Sequence, residues 1–179
     1  YSPLLDKYEK RPVEDRRACF LLLRNKYFHG KRDLGPSPEE YATSAPLHAA
    51  NIADVSEYFV DVDYDGGMLS DKTLVQRIMK IRPDLIILST YDPFKSNHPF
   101  LSVMEAIHSK CRIPIVQIWH DSVGEKAIEA GKKLSKLVDL NIEQSASNLI
   151  KYFGNRKCIR LWTPSDPNVF YPGEAQRDI

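Results

Sequence analysis

Residue types that can act on a substrate occur in this chain where apolar runs end, and the first of them is a histidine. His120 and Asp121 directly follow the apolar run of residues 113–119. A histidine in this position can serve as a general base or as a hydrogen-bond donor to a substrate oxygen. We therefore take His120 and Asp121 as candidate catalytic residues and Ser122 as a candidate substrate-binding residue. The alternative is that Asp121 or Ser122 only caps the following helix.

A basic segment, residues 24–32 (RNKYFHGKR), follows the apolar run of residues 18–23. Its guanidinium and ammonium groups could bind phosphate or another anion. It matches neither the G-x-G-x-x-G fingerprint nor a P-loop, so it does not support dinucleotide or simple nucleoside triphosphate binding. The alternative is a solvated basic loop. The candidate substrate-binding residues of this segment are Arg24, Asn25, Lys26, His29 and Gly30.

Two further polar segments follow apolar runs. Residues 89–94 (STYDPF) combine hydroxyls, a carboxylate and two aromatic rings, which suits a sugar or similar polyol, or else a capped turn. In residues 141–147 (NIEQSAS), a helix N-terminus could favour a ligand oxygen or anion, or have an ordinary cap. The candidate substrate-binding residues of these two segments are Thr90, Tyr91, Asp92, Glu143 and Ser145.

Metal and thiol chemistry find little support in the sequence. No pair of histidines has H-x-x-x-H spacing, and the alternating Asp61, Asp63 and Asp65 lack the rest of a calcium-loop pattern. We therefore predict no metal site. The three cysteines lack metal-ligand spacing and are predicted to be reduced thiols, mostly buried, in a cytosolic protein. They are Cys19, Cys111 and Cys158.

The elements that must position these segments alternate between strand and helix patterns. Strands are predicted at residues 18–23, 58–62, 85–90, 113–119, 138–142 and 158–162. Helices are predicted at about residues 45–58, 70–81, 101–107, 125–136 and 145–153, with a long polar loop at 24–46. Alternation of this kind predicts an α/β fold with a Rossmann-like, doubly wound parallel sheet. Ligands bind such sheets beyond the carboxyl ends of the strands.

The overall composition is that of one ordinary globular domain with a polar lead-in. The net charge of +1 argues against a general nucleic-acid binder. No apolar run approaches the ~20 residues that a transmembrane helix needs, and no signal-peptide pattern opens the chain. We assign residues 1–17 to an N-terminal arm and residues 18–164 to the domain. Residues 165–179 are predicted to be a proline-containing linker and the start of a second domain.

With these elements in order, the chain resembles the N-terminal domain of a GT-B glycosyltransferase, of the retaining group related to glycogen and sucrose synthases together with the CgeB-like glycosyltransferases. Residues 82–89 (RPDLIILS) resemble the "kPDlii" strand of such domains. Residues 113–121 (IPIVQIWHD) resemble the "iPvv…HD" strand and loop. Residues 165–172 (SDPNVFYP) resemble the "vD…F.P" segment that joins the two domains.

The resemblance implies a cytoplasmic enzyme that transfers a sugar from a nucleotide-sugar donor to an acceptor hydroxyl. The donor is a co-substrate, no cofactor is bound permanently, and the C-terminal domain holds most of the donor site. The present chain would shape the acceptor site and be inactive alone. His120 would lie near the transferred sugar, and the loop from Arg24 to Gly30 would approach the diphosphate or the acceptor. The family's glycine-rich loop is represented here only by Gly30, which favours acceptor recognition.

Two other functions remain open at this point. The first is a stand-alone flavodoxin-like or periplasmic-binding-like domain that senses a small ligand. The second is half of a sugar-nucleotide epimerase, which would interconvert a sugar without an acceptor.

Overall fold

The computed structural model describes residues 2–14, 16–63, 70–89, 100–120, 129, 132–144 and 158–161. Within these residues the protein has an α/β fold with a single parallel sheet. The strands are β1 (Cys19–Arg24), β2 (Asp54–Phe59), β3 (Leu85–Ser89), β4 (Ile115–Trp119), β5 (Leu140–Glu143) and β6 (Cys158–Arg160). The α-helices are α1 (Ser2–Leu5), α2 (Ala45–Ala50), α3 (Ser70–Ile81) and α4 (Phe100–Ala106).

The six strands are ordered β2-β1-β3-β4-β5-β6, and every neighbouring pair is parallel. The chain passes from β1 to β2 on one side and then returns across β1 to β3 on the other. This reversal is the topological switch point, where doubly wound sheets bind ligands. The predicted Rossmann-like architecture is therefore confirmed.

The central strands form because their side chains are buried on both faces of the sheet. One face carries Leu21, Leu23, Ile86 and Leu88, which belong to the core cluster that also contains residues of α3 and α4. The opposite face carries a smaller cluster of buried Leu22, Ile87 and Ile118, against which Leu47 of α2 packs. Burial on both faces explains why these strands are continuous apolar runs rather than alternating patterns.

The second strand is a correction to the sequence prediction. Helix α2 ends at Ala50, where Asn51 adopts a left-handed conformation with φ of 51°, and β2 covers Asp54–Phe59. The predicted helix over 45–58 and strand over 58–62 are therefore wrong. Because only Tyr58 of β2 is fully buried, this edge strand of the described sheet lacks the apolar run that marks the central strands. Its parallel pairing with β1 overrides the weak helical pattern.

The long segment between β1 and α2 is folded. It contains short 3₁₀ turns at Phe28–Gly30 and Arg32–Leu34 and a π-helix at Glu40–Ser44 that runs directly into α2. A second π-helix, Ile107–Cys111, continues α4. The predicted helix at 145–153 and the linker at 165–179 lie outside the described residues, as does half of the predicted helix at 125–136.

The N-terminal segment packs on the amino end of the sheet. Leu5 is buried in the larger core cluster, and the Tyr8 hydroxyl donates a hydrogen bond to the Pro83 carbonyl at 2.9 Å. Arg16 donates two hydrogen bonds of 2.6 Å to Asp84, whose carboxylate also accepts the Cys19 N–H. The Arg16 hydrogen bond outweighs desolvation and lowers the pKa of Asp84. None of the helices in the described part of the chain is long and apolar enough to span a membrane.

We predict that Ile86→Ala lowers the free energy of unfolding by about 2–5 kcal/mol, because it leaves a cavity in the core. The Ile86 side chain is fully buried, whereas Ile52 is 66% exposed, so Ile52→Ala serves as the matched control. Urea denaturation of both variants and the unsubstituted chain is the measurement. Equal stability losses in the two variants would contradict the described core.

Candidate functional site

A polar cluster occupies the carboxyl ends of β1, β2, β3 and β4, beneath the π-helix Glu40–Ser44. The π-helix supplies side chains that contact three of these strands. We call this group the carboxyl-edge cluster. Its members are Arg24, Glu40, Thr43, Ser44, His48, Glu57, Ser89 and His120.

Arg24 is the buried charge at the centre of this cluster, with its side chain only 3% exposed. Its Nε donates to Glu57 at 2.6 Å, one terminal nitrogen donates to the Asn25 carbonyl at 3.0 Å, and the other pairs with Glu40. The guanidinium carbon also lies 4.8 Å from the centre of the Phe59 ring. These contacts offset the cost of burying the charge.

Glu57 is one of the two counter-charges of Arg24 and joins β2 to the helix above it. Its carboxylate also accepts a hydrogen bond from the Ser44 hydroxyl at 2.7 Å and lies 3.0 Å from His48 Nε2. Burial alone would raise the pKa of Glu57. The Ser44 hydrogen bond, the Arg24 charge and the His48 hydrogen bond outweigh burial, so the pKa lies below its ordinary value.

A chain of hydrogen bonds leads from the π-helix to the predicted catalytic histidine. Thr43 Oγ1 lies 3.0 Å from Ser89 Oγ, which in turn lies 2.8 Å from His120 Nε2. Ser89 is fully buried, so it is suited to hold the ring rather than to attack a substrate.

The structure places His120 where the sequence predicts it, directly after β4 and half-buried. An imidazole can donate or accept hydrogen bonds, depending on its tautomer and protonation state. It can therefore orient a substrate hydroxyl or take up its proton. The predicted site residues Asp121, Ser122, Thr90, Tyr91, Asp92 and Ser145 lie outside the described part of the chain.

The basic loop after β1 is held by Asp61. The Asp61 carboxylate accepts the backbone N–H groups of Lys26 and Tyr27 at 2.8 and 2.9 Å. Gly30 has a positive φ of 70°, and a Cβ there would lie 3.5 Å from Asp61 Cβ. Lys26 and His29 have exposed side chains, whereas Arg24 is buried in the carboxyl-edge cluster and Asn25 is half-buried. The structure thus splits the predicted anion-binding segment into a buried cation and an exposed loop.

Glu143 is fully buried but does not join the carboxyl-edge cluster. It accepts hydrogen bonds from Arg160 at 3.1 and 3.3 Å. In the sheet, Glu143 pairs with Trp119. The preceding residue, Ile142, packs against the smaller core cluster that contains Ile87. Ile87 and Ser89 lie on the same face of β3. Successive side chains of a strand point to opposite faces, so Glu143 and Ser89 lie on opposite sides of the sheet.

Sequence reasoning missed most members of the cluster. Glu40, Thr43 and Ser44 lie in the predicted polar loop at 24–46, and His48 and Glu57 lie in the predicted helix at 45–58. Recognising residues 54–59 as a strand would have placed Glu57 on the same face as Val55 and Phe59. A carboxylate in the strand that pairs with β1, which ends at Arg24, is the sequence signal that indicates an ion pair.

Neither thiol nor metal chemistry is favoured by the described residues. Burial raises the pKa of the Cys111 thiol to about 11, and burial also raises the pKa values of Cys19 and Cys158. Such thiols are weak nucleophiles at neutral pH. Within the described ranges, no group of three or more histidine, cysteine, aspartate or glutamate side chains could hold a metal ion.

Comparison with known protein families gives no matching family model, and comparison with curated proteins gives no match. The carboxyl-edge cluster must therefore be interpreted from its own chemistry.

We predict that Glu57→Gln lowers the free energy of unfolding at pH 7 by about 3 kcal/mol, because it leaves Arg24 with one fewer counter-charge. The folded-state pKa lies below the reference value of 4.5, so this stabilisation is present above pH 4.5 and is lost as pH falls through the folded-state pKa. Urea denaturation between pH 3 and pH 7 measures the difference. Glu105→Gln, at an exposed position on α4, is the control. A stability gap independent of pH would contradict the described ion pair.

We also predict that Ser89→Ala changes the tautomer populations of His120, because the hydrogen bond to Nε2 is lost. The imidazole ¹⁵N and ¹³C chemical shifts report the tautomer directly and need no assay of activity. His108, exposed in the π-helix Ile107–Cys111, provides the internal reference. Unchanged His120 shifts in a folded Ser89→Ala variant would show that Ser89 does not hold the ring.

Proposed function

We propose that this chain is the acceptor-side half of a GT-B-type glycosyltransferase that moves a sugar from a nucleotide-sugar donor to an acceptor hydroxyl. The observation that carries the proposal is the placement of His120. It follows β4 of a Rossmann-like parallel sheet, and Ser89 holds its Nε2 at 2.8 Å. A half-buried, oriented imidazole at this edge suits recognition of a sugar hydroxyl.

In the proposed reaction, this domain contributes by positioning hydroxyl groups. The imidazole of His120 would contact a hydroxyl of the transferred sugar or the acceptor and would position it by a hydrogen bond. Hydroxyl and carboxylate side chains at Thr90, Asp92 and Ser122 are proposed to bind the same sugar. Positioning of this kind lowers the barrier by removing rotational freedom before the reaction.

A second domain is part of the proposal, since the resemblance assigns most donor contacts to a C-terminal domain. The nucleotide sugar would enter as a co-substrate between the two domains, with no permanently bound cofactor. Asp121 directly follows His120 and is proposed to assist it.

The strand order also favours one other candidate. The order β2-β1-β3-β4-β5 is the flavodoxin-like order, in which a ligand binds at the β1/β3 switch point. A stand-alone small-ligand domain would then bind its ligand beyond the ends of β1 and β3, where Arg24 and Ser89 are neighbours in the register. It would bind its ligand without a second domain and without turnover.

We predict that His120→Ala lowers sugar transfer by the complete natural protein on the order of 10²-fold or more, because an oriented polar contact in the transition state is lost. The assay measures product formed from nucleotide sugars and saccharide acceptors. His108→Ala, at an exposed position, is the control and should retain full activity.

Thermal denaturation of the same variants separates function from folding. We expect the melting temperature of the His120→Ala protein to stay near that of the unsubstituted protein. Parallel losses of melting temperature and activity would make His120 a structural residue. Transfer at full rate by residues 1–179 alone would contradict the two-domain part of the proposal.

A further inference from the structure

The Ser89 hydroxyl lies between two polar side chains in a part of the protein that is closed to water. Ser89 is fully buried, and Thr43 is 3% exposed. Ser89 Oγ is 3.0 Å from Thr43 Oγ1 and 2.8 Å from His120 Nε2. A serine hydroxyl has a single proton to donate, although it can accept as well. Ser89 can therefore donate to only one of these two neighbours at a time.

The protonation state of His120 Nε2 decides which neighbour receives the Ser89 proton. When Nε2 is unprotonated, it accepts a hydrogen bond from Ser89, which can in turn accept one from Thr43. When Nε2 has a proton, it donates to Ser89, and the Ser89 O–H must then point to the Thr43 oxygen. Nε2 is protonated in one neutral tautomer and in the imidazolium ion. Both of these forms of His120 thus need a hydrogen-bond acceptor at position 43.

The fold holds the Thr43 hydroxyl where it can be that acceptor. Thr43 lies in the π-helix Glu40–Ser44. An ion pair with Arg24 and a 2.7 Å hydrogen bond to Glu57 keep this helix over the sheet. Helical threonine hydroxyls often bond to a carbonyl of the preceding turn, whereas this one meets a side chain at the end of β3. Single π-helical turns are rare and often occur at functional sites.

We infer that Thr43 is a positioning residue that lets His120 carry a proton on Nε2, acting through Ser89. The ring proton comes from solvent or from a substrate hydroxyl. No proton leaves Ser89, whose O–H only rotates from the ring to Thr43 Oγ1. Without the Thr43 oxygen, the forms of His120 protonated on Nε2 would leave the buried Ser89 O–H without an acceptor, which is costly.

The inference concerns the imidazole itself and is tested without any assay of sugar transfer. Its part in catalysis, as support for a general base, rests on the proposed function. If the chain transfers no sugar, the effect of Thr43 on the ring is still expected. If the ring does not respond to Thr43, the proposed contact of His120 with a sugar hydroxyl is unaffected.

The charged and titratable groups around His120 stay the same when Thr43 is substituted. Those of the carboxyl-edge cluster and of the adjoining sequence are Arg24, Glu40, His48, Glu57 and Asp121. Because Thr43 has no charge, its replacement by valine, serine or alanine leaves the net charge unchanged. A change in the titration of His120 therefore reports the loss of the hydroxyl.

The test follows the imidazole ¹⁵N and ¹³C chemical shifts of His120 across pH in the 1–179 chain. Thr43→Val keeps the shape of the side chain but removes the hydroxyl, and Thr43→Ser keeps the hydroxyl as the matched control. In Thr43→Val we expect the fraction of neutral rings protonated on Nε2 to fall several-fold. The midpoint of the His120 titration should move about one pH unit lower, because the imidazolium loses support. Thr43→Ser should resemble the unsubstituted chain in both respects.

Two further variants separate the inferred role from a structural one. Thr43→Ala is a second hydroxyl-free variant and should repeat the Thr43→Val result. Ser89→Ala removes the group through which Thr43 acts, so adding Thr43→Val to it should change neither the tautomer nor the titration of His120. Equal behaviour of folded Thr43→Val and Thr43→Ser would overturn the inference. The same Thr43→Val effect with and without the Ser89 hydroxyl would overturn it as well.

Discussion

The burial of one positive charge constrains the whole carboxyl edge of the sheet. Arg24 ends the central strand β1 with its side chain almost fully removed from water. An unpaired guanidinium there would cost several kcal/mol, so counter-charges must converge on it. They come from β2, through Glu57, and from the π-helix, through Glu40. The pairing of one side chain thus fixes three elements relative to each other.

The geometry of His120 follows from the same arrangement. Once the π-helix is held over the sheet by Glu40 and Ser44, its Thr43 hydroxyl reaches Ser89 at the end of β3. Ser89 then meets the imidazole that follows β4. The ring is therefore oriented by groups from two separate elements. One of them, the π-helix, also forms an ion pair with Arg24.

The central sheet could be predicted because its physical signal is local. The run at residues 85–88 is apolar and buried on both faces, and the run before His120 is similar. Strand β2 could not be predicted in this way. Its polar residues and single fully buried side chain give no run, and its identity depends on pairing with β1, over 30 residues earlier in the chain.

The candidate site shows the same division between local and distant information. His120 stands out because a polar residue interrupts an apolar pattern at a strand end. Glu40 and Thr43 do not stand out, since their partners lie 16 and 46 positions away in the sequence. No pattern within the loop reports such contacts. Residues whose roles come from tertiary pairing have to be found in the structure.

Chemical-shift mapping with saccharides tests the central claim most directly, namely that the ligand site lies at the carboxyl edge around His120. The ¹⁵N-labelled 1–179 chain would be titrated with a panel of mono- and oligosaccharides and nucleoside diphosphate sugars. The account predicts saturable shifts at the amides of Thr43, Ser89 and His120. Saturable shifts confined to the opposite edge, around Asp84 and Arg112, would contradict it.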